Sequence, residues 1–178
     1  MRSNSNIKWI IKIVLISVIA SMVFTFASTE ILGRAGYIVS FMILAIFVIV
    51  GIIFDVAGIA VTAATEAPFH SMSARRERGA AESIRLIKNA DKVTSFCNDV
   101  VGDVTGIISG TTAALIAARL MDGLYIENIF LFPLLISGVV TGLTVGGKAV
   151  GKTFAFSNST LIVLRIGKLI NIFSIKTK

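Results

Sequence analysis

Apolar residues along this chain do not alternate as in a half-buried strand, nor do they mark one side of a soluble helix; they come in long, nearly unbroken runs. The first extends from about Ile7 to Ser28, the second from Gly36 to Thr65, the third from Thr94 to Met121 and the fourth from Ile126 to Val145. A helix rising about 1.5 Å per residue needs about twenty residues to cross roughly 30 Å of hydrocarbon, and each run is of that order or longer. Backbone groups in lipid must be satisfied within their own segment, so the runs predict transmembrane helices. The expected fold class is an all-α integral membrane protein with about four transmembrane helices. A cleavable signal peptide competes for the first run, where a basic start and an apolar centre lead to Phe26-Ala27-Ser28.

The polar stretches carry their own order. Residues 66–91 predict a cytoplasmic juxtamembrane hairpin. Pro68 ends or bends the preceding helix, two short amphipathic helices hinge near Gly79, Arg78 pairs with Glu82 at i,i+4, and Asn89 or Asp91 caps the next span. Residues 157–174 read as a C-terminal interfacial amphipathic helix started by Ser157 or Ser159. There Leu161, Leu169, Ile170 and Phe173 are apolar, while Arg165, Lys168 and Asn171 form a polar stripe. Glycines at four-residue spacing, Gly102, Gly106 and Gly110 on the third span and Gly138, Gly142 and Gly146 on the fourth, allow close helix approach in a hairpin or a homodimer seam.

Composition agrees with a lipid solvent: 55% of the 178 residues are hydrophobic and 15% charged, with a mean hydropathy of +0.89. Lysine and arginine number 17 against 10 acids, a net charge of +7. With the N-terminus inside, Arg2, Lys8 and Lys12, the cluster from Arg75 to Lys92, and Lys148, Lys152, Arg165, Lys168, Lys176 and Lys178 are all cytoplasmic. Only Arg34 and Arg119 fall outside, which is the asymmetry expected of a plasma (inner) membrane protein with both termini cytoplasmic. The charge then serves topology and attraction to anionic lipids at the hairpin and the C-terminal helix, and a nucleic-acid partner is not expected.

Packing does not explain the acids within the spans. Asp55 lies in the inner half of the second run, and Asn98, Asp99 and Asp103 lie in the first half of the third. Carboxylates at that depth must be paired, protonated or bound to a cation, and no lysine or arginine lies at matching depth. Asp99 and Asp103 share a helical face at i,i+4, and an antiparallel neighbour places Asp55 in the same leaflet. Thr62, Thr65, Ser95 and Thr105 add oxygens. An oxygen-only, carboxylate-bearing cluster suits a hard cation such as magnesium or sodium, or protons.

Other chemistry is thin. Gly146, Gly151, Lys152 and Thr153 fit the letters of a phosphate-binding loop, but they follow a membrane span, and the last acid in the chain is Glu127, so no nucleotide is expected. Cys97 is the single cysteine and His70 the single histidine. No nucleophile, base and orienter set appears and no zinc spacing, so the chain is not expected to be an enzyme.

One resemblance runs from about Gly36 to Phe173. The segment Phe54-Asp55-Val56-Ala57-Gly58-Ile59-Ala60-Val61 ending a span, the basic turn Ala74-Arg75-Arg76-Glu77-Arg78-Gly79-Ala80, and Asn89-Ala90-Asp91-Lys92-Val93 before the next span carry it. A helix end with Gly151-Lys152-Thr153 and a basic amphipathic helix follow. This pattern resembles the membrane domain of the CNNM/CorB magnesium transporters and their CorC/HlyC-type relatives. The resemblance implies residues 1–35 as an extra N-terminal helix with its outer loop, residues 36–178 as the membrane domain, and a homodimer that transports magnesium. A counterpart of that family's cytoplasmic CBS pair is not expected. In the register that keeps the hairpin, Asp55 stands at a serine position and Gly58 at that of the glutamate, while Asn98, Asp99 and Asp103 stand a residue or two from the asparagine positions. The expected function is divalent cation transport, with Asp55, Asn98, Asp99 and Asp103 as ligands. The alternative is a non-transporting membrane scaffold with a degenerate ion site.

Overall fold

The computed structural model describes residues 2–124 and 131–175. All regular structure among them is helical: α1 (Arg2–Arg34), α2 (Tyr37–Ala63), α3 (Ala67–Ala74), α4 (Ala80–Lys88), α5 (Ala90–Thr94), a π-helical segment (Ser95–Gly102), α6 (Asp103–Leu124), α7 (Leu131–Ser157) and α8 (Ser159–Ile175). Among the described residues, four helical stretches are long and apolar enough to cross a membrane: Trp9–Gly33, Tyr37–Ala63, Ala90–Met121 and Leu131–Ser157. The protein is an all-α membrane protein. The expected start of the fourth span at Ile126 lies outside the described residues.

Two element ends depart from the sequence reading. The α1 helix begins at Arg2, well before the apolar run, and α7 continues to Ser157, twelve residues beyond Val145 (157 less 145). Both extensions follow from a difference in what the two properties need. Lysine is a good helix former and a poor lipid solute, so Lys148 and Lys152 end a hydrophobic run without ending a helix, and the polar residues from Arg2 to Asn6 precede one within a helix. The letters of the phosphate-loop pattern, Gly146 to Thr153, therefore lie in continuous helix.

The chain forms two compact units: Met1–Ile52 with Val100–Gly147, and Ile53–Asp99 with Lys148–Lys178. In the first, α1 packs along α6 and buries Ser28 and Leu32. The face that α6 buries carries Val104, Thr105, Ile108, Ser109, Thr112, Ala113, Ile116 and Ala117. These recur at three- and four-residue steps and are mostly small or hydroxyl-bearing, the composition that lets helices approach where lipid removes any hydrophobic drive. Leu44, Ala113 and Ile116 form a core flanked by Val48, Leu120, Ile136 and Val140. Elsewhere the apolar side chains face outward: Met22, Phe26 and Ile38 are 69, 71 and 78% exposed, an arrangement that only a hydrocarbon solvent stabilises.

The tight connection between α1 and α2 is held from across the unit. Arg119 donates from Nη1 to the Ala35 carbonyl at 3.0 Å, and Tyr37 Oη donates to the Arg119 carbonyl at 3.2 Å. Arg119 thus satisfies a carbonyl at the end of α1. Arg119→Gln is expected to cost about 1.5 kcal/mol, the worth of a charge-assisted hydrogen bond, with Arg119→Lys recovering part of it. Thermal unfolding in detergent checks this, and an unchanged midpoint for the Gln variant would show that the contact contributes nothing.

The second unit is built around the hairpin. Pro68 sits in the first turn of α3, where its missing N–H is no loss, and Phe69 is fully buried against Ala60, Val61, Ala64, Ala155 and Val163. The turn from α3 to α4 uses two left-handed residues, Arg76 at φ 56° and Gly79 at φ 85°. Beyond it α4 lies on α8 at a distance that only glycine permits. A Cβ on Gly79 would stand 2.5 Å from Lys168 N and 2.8 Å from Gly167 C, and one on Gly167 would collide with Gly79 O and Ser83 Oγ. Ser83 seals the crossing by donating to Gly79 O at 2.8 Å, with the Val163 carbonyl also within reach at 3.1 Å. Glu82, expected to pair with Arg78, accepts from Asn171 Nδ2 of α8 at 2.8 Å. Asn89 stands at the N-cap position of α5, but its side chain does not cap that helix as expected: its amide donates back to Arg85 O of α4 at 2.9 Å.

Candidate functional site

Asp55, Gly58 and Thr62 recur on α2 at steps of three and four, which puts them on one helical face. Thr94 and Asn98, four residues apart, meet that face from α5 and the π-helical segment. Thr94 Oγ1 and Thr62 Oγ1 are 2.7 Å apart, and both stand over the Gly58 carbonyl, at 3.1 and 3.2 Å. Three oxygen contacts here share two hydroxyl hydrogens, so one contact always lacks a proton. The cluster is rich in acceptors and short of donors.

One turn along, Asn98 Oδ1 is buried without a hydrogen-bond partner. A Cβ on Gly58 would collide with it, and would stand 3.1 Å from Cys97 Cβ. The absence of a side chain at Gly58 therefore makes the room that the amide oxygen occupies. An unpaired buried acceptor costs about 1–3 kcal/mol, so the arrangement is retained against a penalty unless something donates to that oxygen or is coordinated by it. Asn98 also lies within the π-helix Ser95–Gly102, whose i→i+5 ladder is rare and concentrates at functional sites.

The four residues singled out from sequence are placed differently from one another. Asp55 is half-buried on the face with Gly58 and Thr62, and Asn98 is half-buried against that face. Asp99, its neighbour in the π-helix, is exposed. Asp103 begins α6 in the other unit and is exposed as well. Among the described residues no three His, Cys, Asp or Glu side chains come together as a metal cluster. Of the hydroxyls weighed from sequence, Thr62 lies in the oxygen cluster, while Thr105 reaches back to Val101 O and Gly102 O at the end of the π-helical segment and lies against Gly51 in the first unit. Thr94 and the Gly58 carbonyl escaped the sequence reading. The step from Asp55 to Thr62 puts Gly58 on the polar face of α2, but nothing in that spacing points to Thr94, which comes from α5.

Comparison with protein-family models, with curated proteins and with solved structures finds no match to this chain. The chemistry of the site therefore rests on its own atoms. One carboxylate, two hydroxyls, a backbone carbonyl and a buried amide oxygen are all hard donors. A single carboxylate in a neutral oxygen set suits an ion that keeps part of its water shell, as magnesium does.

Proposed function

We propose that this protein binds a hard divalent cation, magnesium by preference, and passes it across the inner membrane as a homodimer. The observation that carries the reading is the buried, unpartnered Asn98 Oδ1 facing Gly58 in the π-helical segment, beside a donor-poor oxygen cluster and on the face that bears Asp55. In the register of the CNNM/CorB-like pattern, Gly58 stands where that family has its glutamate, and here the space is filled by an amide oxygen from the opposing helix. Asp55 supplies the site's negative charge from one turn away. The distribution of lysine and arginine supports cytoplasmic termini and a hairpin facing the anionic leaflet.

The exposed face of α6 supports the homodimer. Asp103, Gly106, Ile107, Gly110, Thr111, Ala114 and Ala118 make up that face, and Ile107 is the one large exposed apolar side chain on the described part of α6. A Cβ on Gly106 or Gly110 would meet nothing within 4 Å. Lipid-facing helices expose leucine, isoleucine and phenylalanine, as α1 and α7 do. A face of small residues with a carboxylate is better covered by a second helix. The same exposure of Asp99 and Asp103 favours a second reading, a membrane partner protein that transports nothing.

A thermal-stability titration in detergent with magnesium, calcium, manganese, cobalt and sodium separates the two. The expected result is a saturable shift selective for a divalent ion, worth about 2.7 kcal/mol at a hundredfold excess over Kd. It should be lost in Asp55→Asn and in Asn98→Leu and kept in Asp99→Asn. A folded protein that responds to no ion would end the transport reading and leave the partner protein.

A further inference from the structure

Between the α3–α4 turn and the last turns of α8 lies a pocket of about 470 Å3, lined by Glu77, Arg78, Lys168, Asn171 and Ile172. We propose that this pocket is a discrete site for the phosphate head of an anionic membrane lipid, with the acyl chains leaving past Ile172. The inference deepens the anionic-lipid reading given above and rests on it, because it assigns to five residues what that reading spreads over the whole basic surface.

The pocket's lining carries two cations, Arg78 and Lys168, against one acid, Glu77. Glu82 stands behind Asn171 and accepts from its amide, while Arg75 and Arg76, exposed in the same turn, leave the surroundings cationic. Lys168 reaches Glu77 across the pocket at 3.3 Å, with the two side chains 45 and 39% exposed. An ion pair that open to water contributes about 0–1 kcal/mol, so a phosphate can recruit the ammonium at little loss. Arg78 brings a planar fork matched to phosphate oxygens, and Lys168 a point charge.

The shape of the ligand follows from the rim. Ile172 and its neighbour Phe173 are 61 and 71% exposed, so the cationic pocket opens onto apolar surface. That pairing fits an amphiphile better than free phosphate. Position favours a lipid as well: the hairpin joins the ends of two spanning stretches, Tyr37–Ala63 and Ala90–Met121, and its core is packed onto the end of α2. The pocket therefore belongs to the membrane face, where phospholipid heads are the most concentrated phosphates. The backbone contact of Gly79 with Gly167 fixes the two walls relative to each other, so the site is formed before lipid arrives.

The test uses the full chain in nanodiscs of phosphatidylcholine titrated with phosphatidylglycerol, read as the unfolding midpoint. The expected result is a shift that saturates at a low phosphatidylglycerol fraction. Removing both cations (Arg78→Gln with Lys168→Gln) should raise the fraction needed by about tenfold or more, given about 1.5 kcal/mol or more per charge-assisted contact. An equal charge change outside the pocket (Arg85→Gln with Lys88→Gln) should raise it far less, by the loss of general surface attraction alone. Arg78→Gln alone, at an exposed residue, keeps the test valid if the double variant unfolds. If both double variants weaken the response equally, the surface attraction stands and the discrete site falls. If wild type gives no shift, both fall. If glycerol phosphate added to pure phosphatidylcholine discs reproduces the shift, the ligand is a soluble phosphate and the lipid assignment is overturned.

Discussion

Gly79→Ala is expected to be among the most damaging single-methyl additions in this protein, lowering stability by about 2–5 kcal/mol. A left-handed backbone costs an ordinary residue about 1–2 kcal/mol, and overpacking adds about 1–3 kcal/mol. Here the obstruction is backbone, Lys168 N at 2.5 Å and Gly167 C at 2.8 Å, which cannot rotate away as a side chain would. Relief requires α8 to lift from α4, and that would break the contact of Ser83 with Val163 O and of Asn171 with Glu82. Gly167→Ala should be comparably harmful, since its methyl would meet Gly79 O and Ser83 Oγ. Gly142→Ala, inside α7 and with its added methyl meeting nothing within 4 Å, is the matched control and should raise the unfolding midpoint slightly, by at most the ~1 kcal/mol of helix propensity. If Gly79→Ala unfolds at the wild-type temperature, the close crossing of α4 and α8 is not a feature of the folded protein.

Gly58→Ala should separate binding from stability. Alanine is favoured over glycine inside a helix by about 1 kcal/mol, and the new methyl would meet the movable end of Asn98 rather than backbone. Rotation of that amide and a small adjustment at Cys97 accommodate it, so the net change in stability is expected to stay within about 1 kcal/mol. Cation affinity should fall by about tenfold or more, because the displaced Oδ1 no longer faces the donor-poor cluster and one charge-assisted contact is about 1.5 kcal/mol. Magnesium-dependent stabilisation in detergent reads the affinity, and unfolding without magnesium reads the stability. Equal affinity in the two proteins would remove Asn98 from the ligand set.

The spans were legible because an apolar run long enough to cross a bilayer is seldom stable in any setting but lipid. The hairpin was legible through Pro68 and Gly79, whose backbone limits are local properties of the residues themselves. Its lock was not: Gly167 is one glycine within a helical pattern, and nothing near it in sequence announces that Gly79 lies against it. The partner of Glu82 was missed for the same reason, since an i,i+4 arginine is visible in sequence whereas Asn171, 89 positions away, is not. At the candidate site Asp55 and Asn98 stood out as polar groups at apolar depth. The π-helix that carries Asn98 has no compositional mark, because it is set by the packing of a whole segment. Helical spacing also made Asp99 and Asp103 look like partners of Asp55, although both are exposed.

The crossing of Gly79 with Gly167 also sets an order of events during synthesis. Ser83 reaches a carbonyl 80 positions further on, and Lys168 pairs with a glutamate 91 positions earlier. While the ribosome is still making the intervening spans, the hairpin has no surface to close against, and Phe69 and Ile84 lack the covering of Val163 that completes their core. Contacts so distant along the chain form late. A nascent chain arrested before residue 163 would therefore present an open hairpin with apolar residues uncovered at the membrane surface. The arrival of α8, bringing Val163 over Phe69, closes that surface.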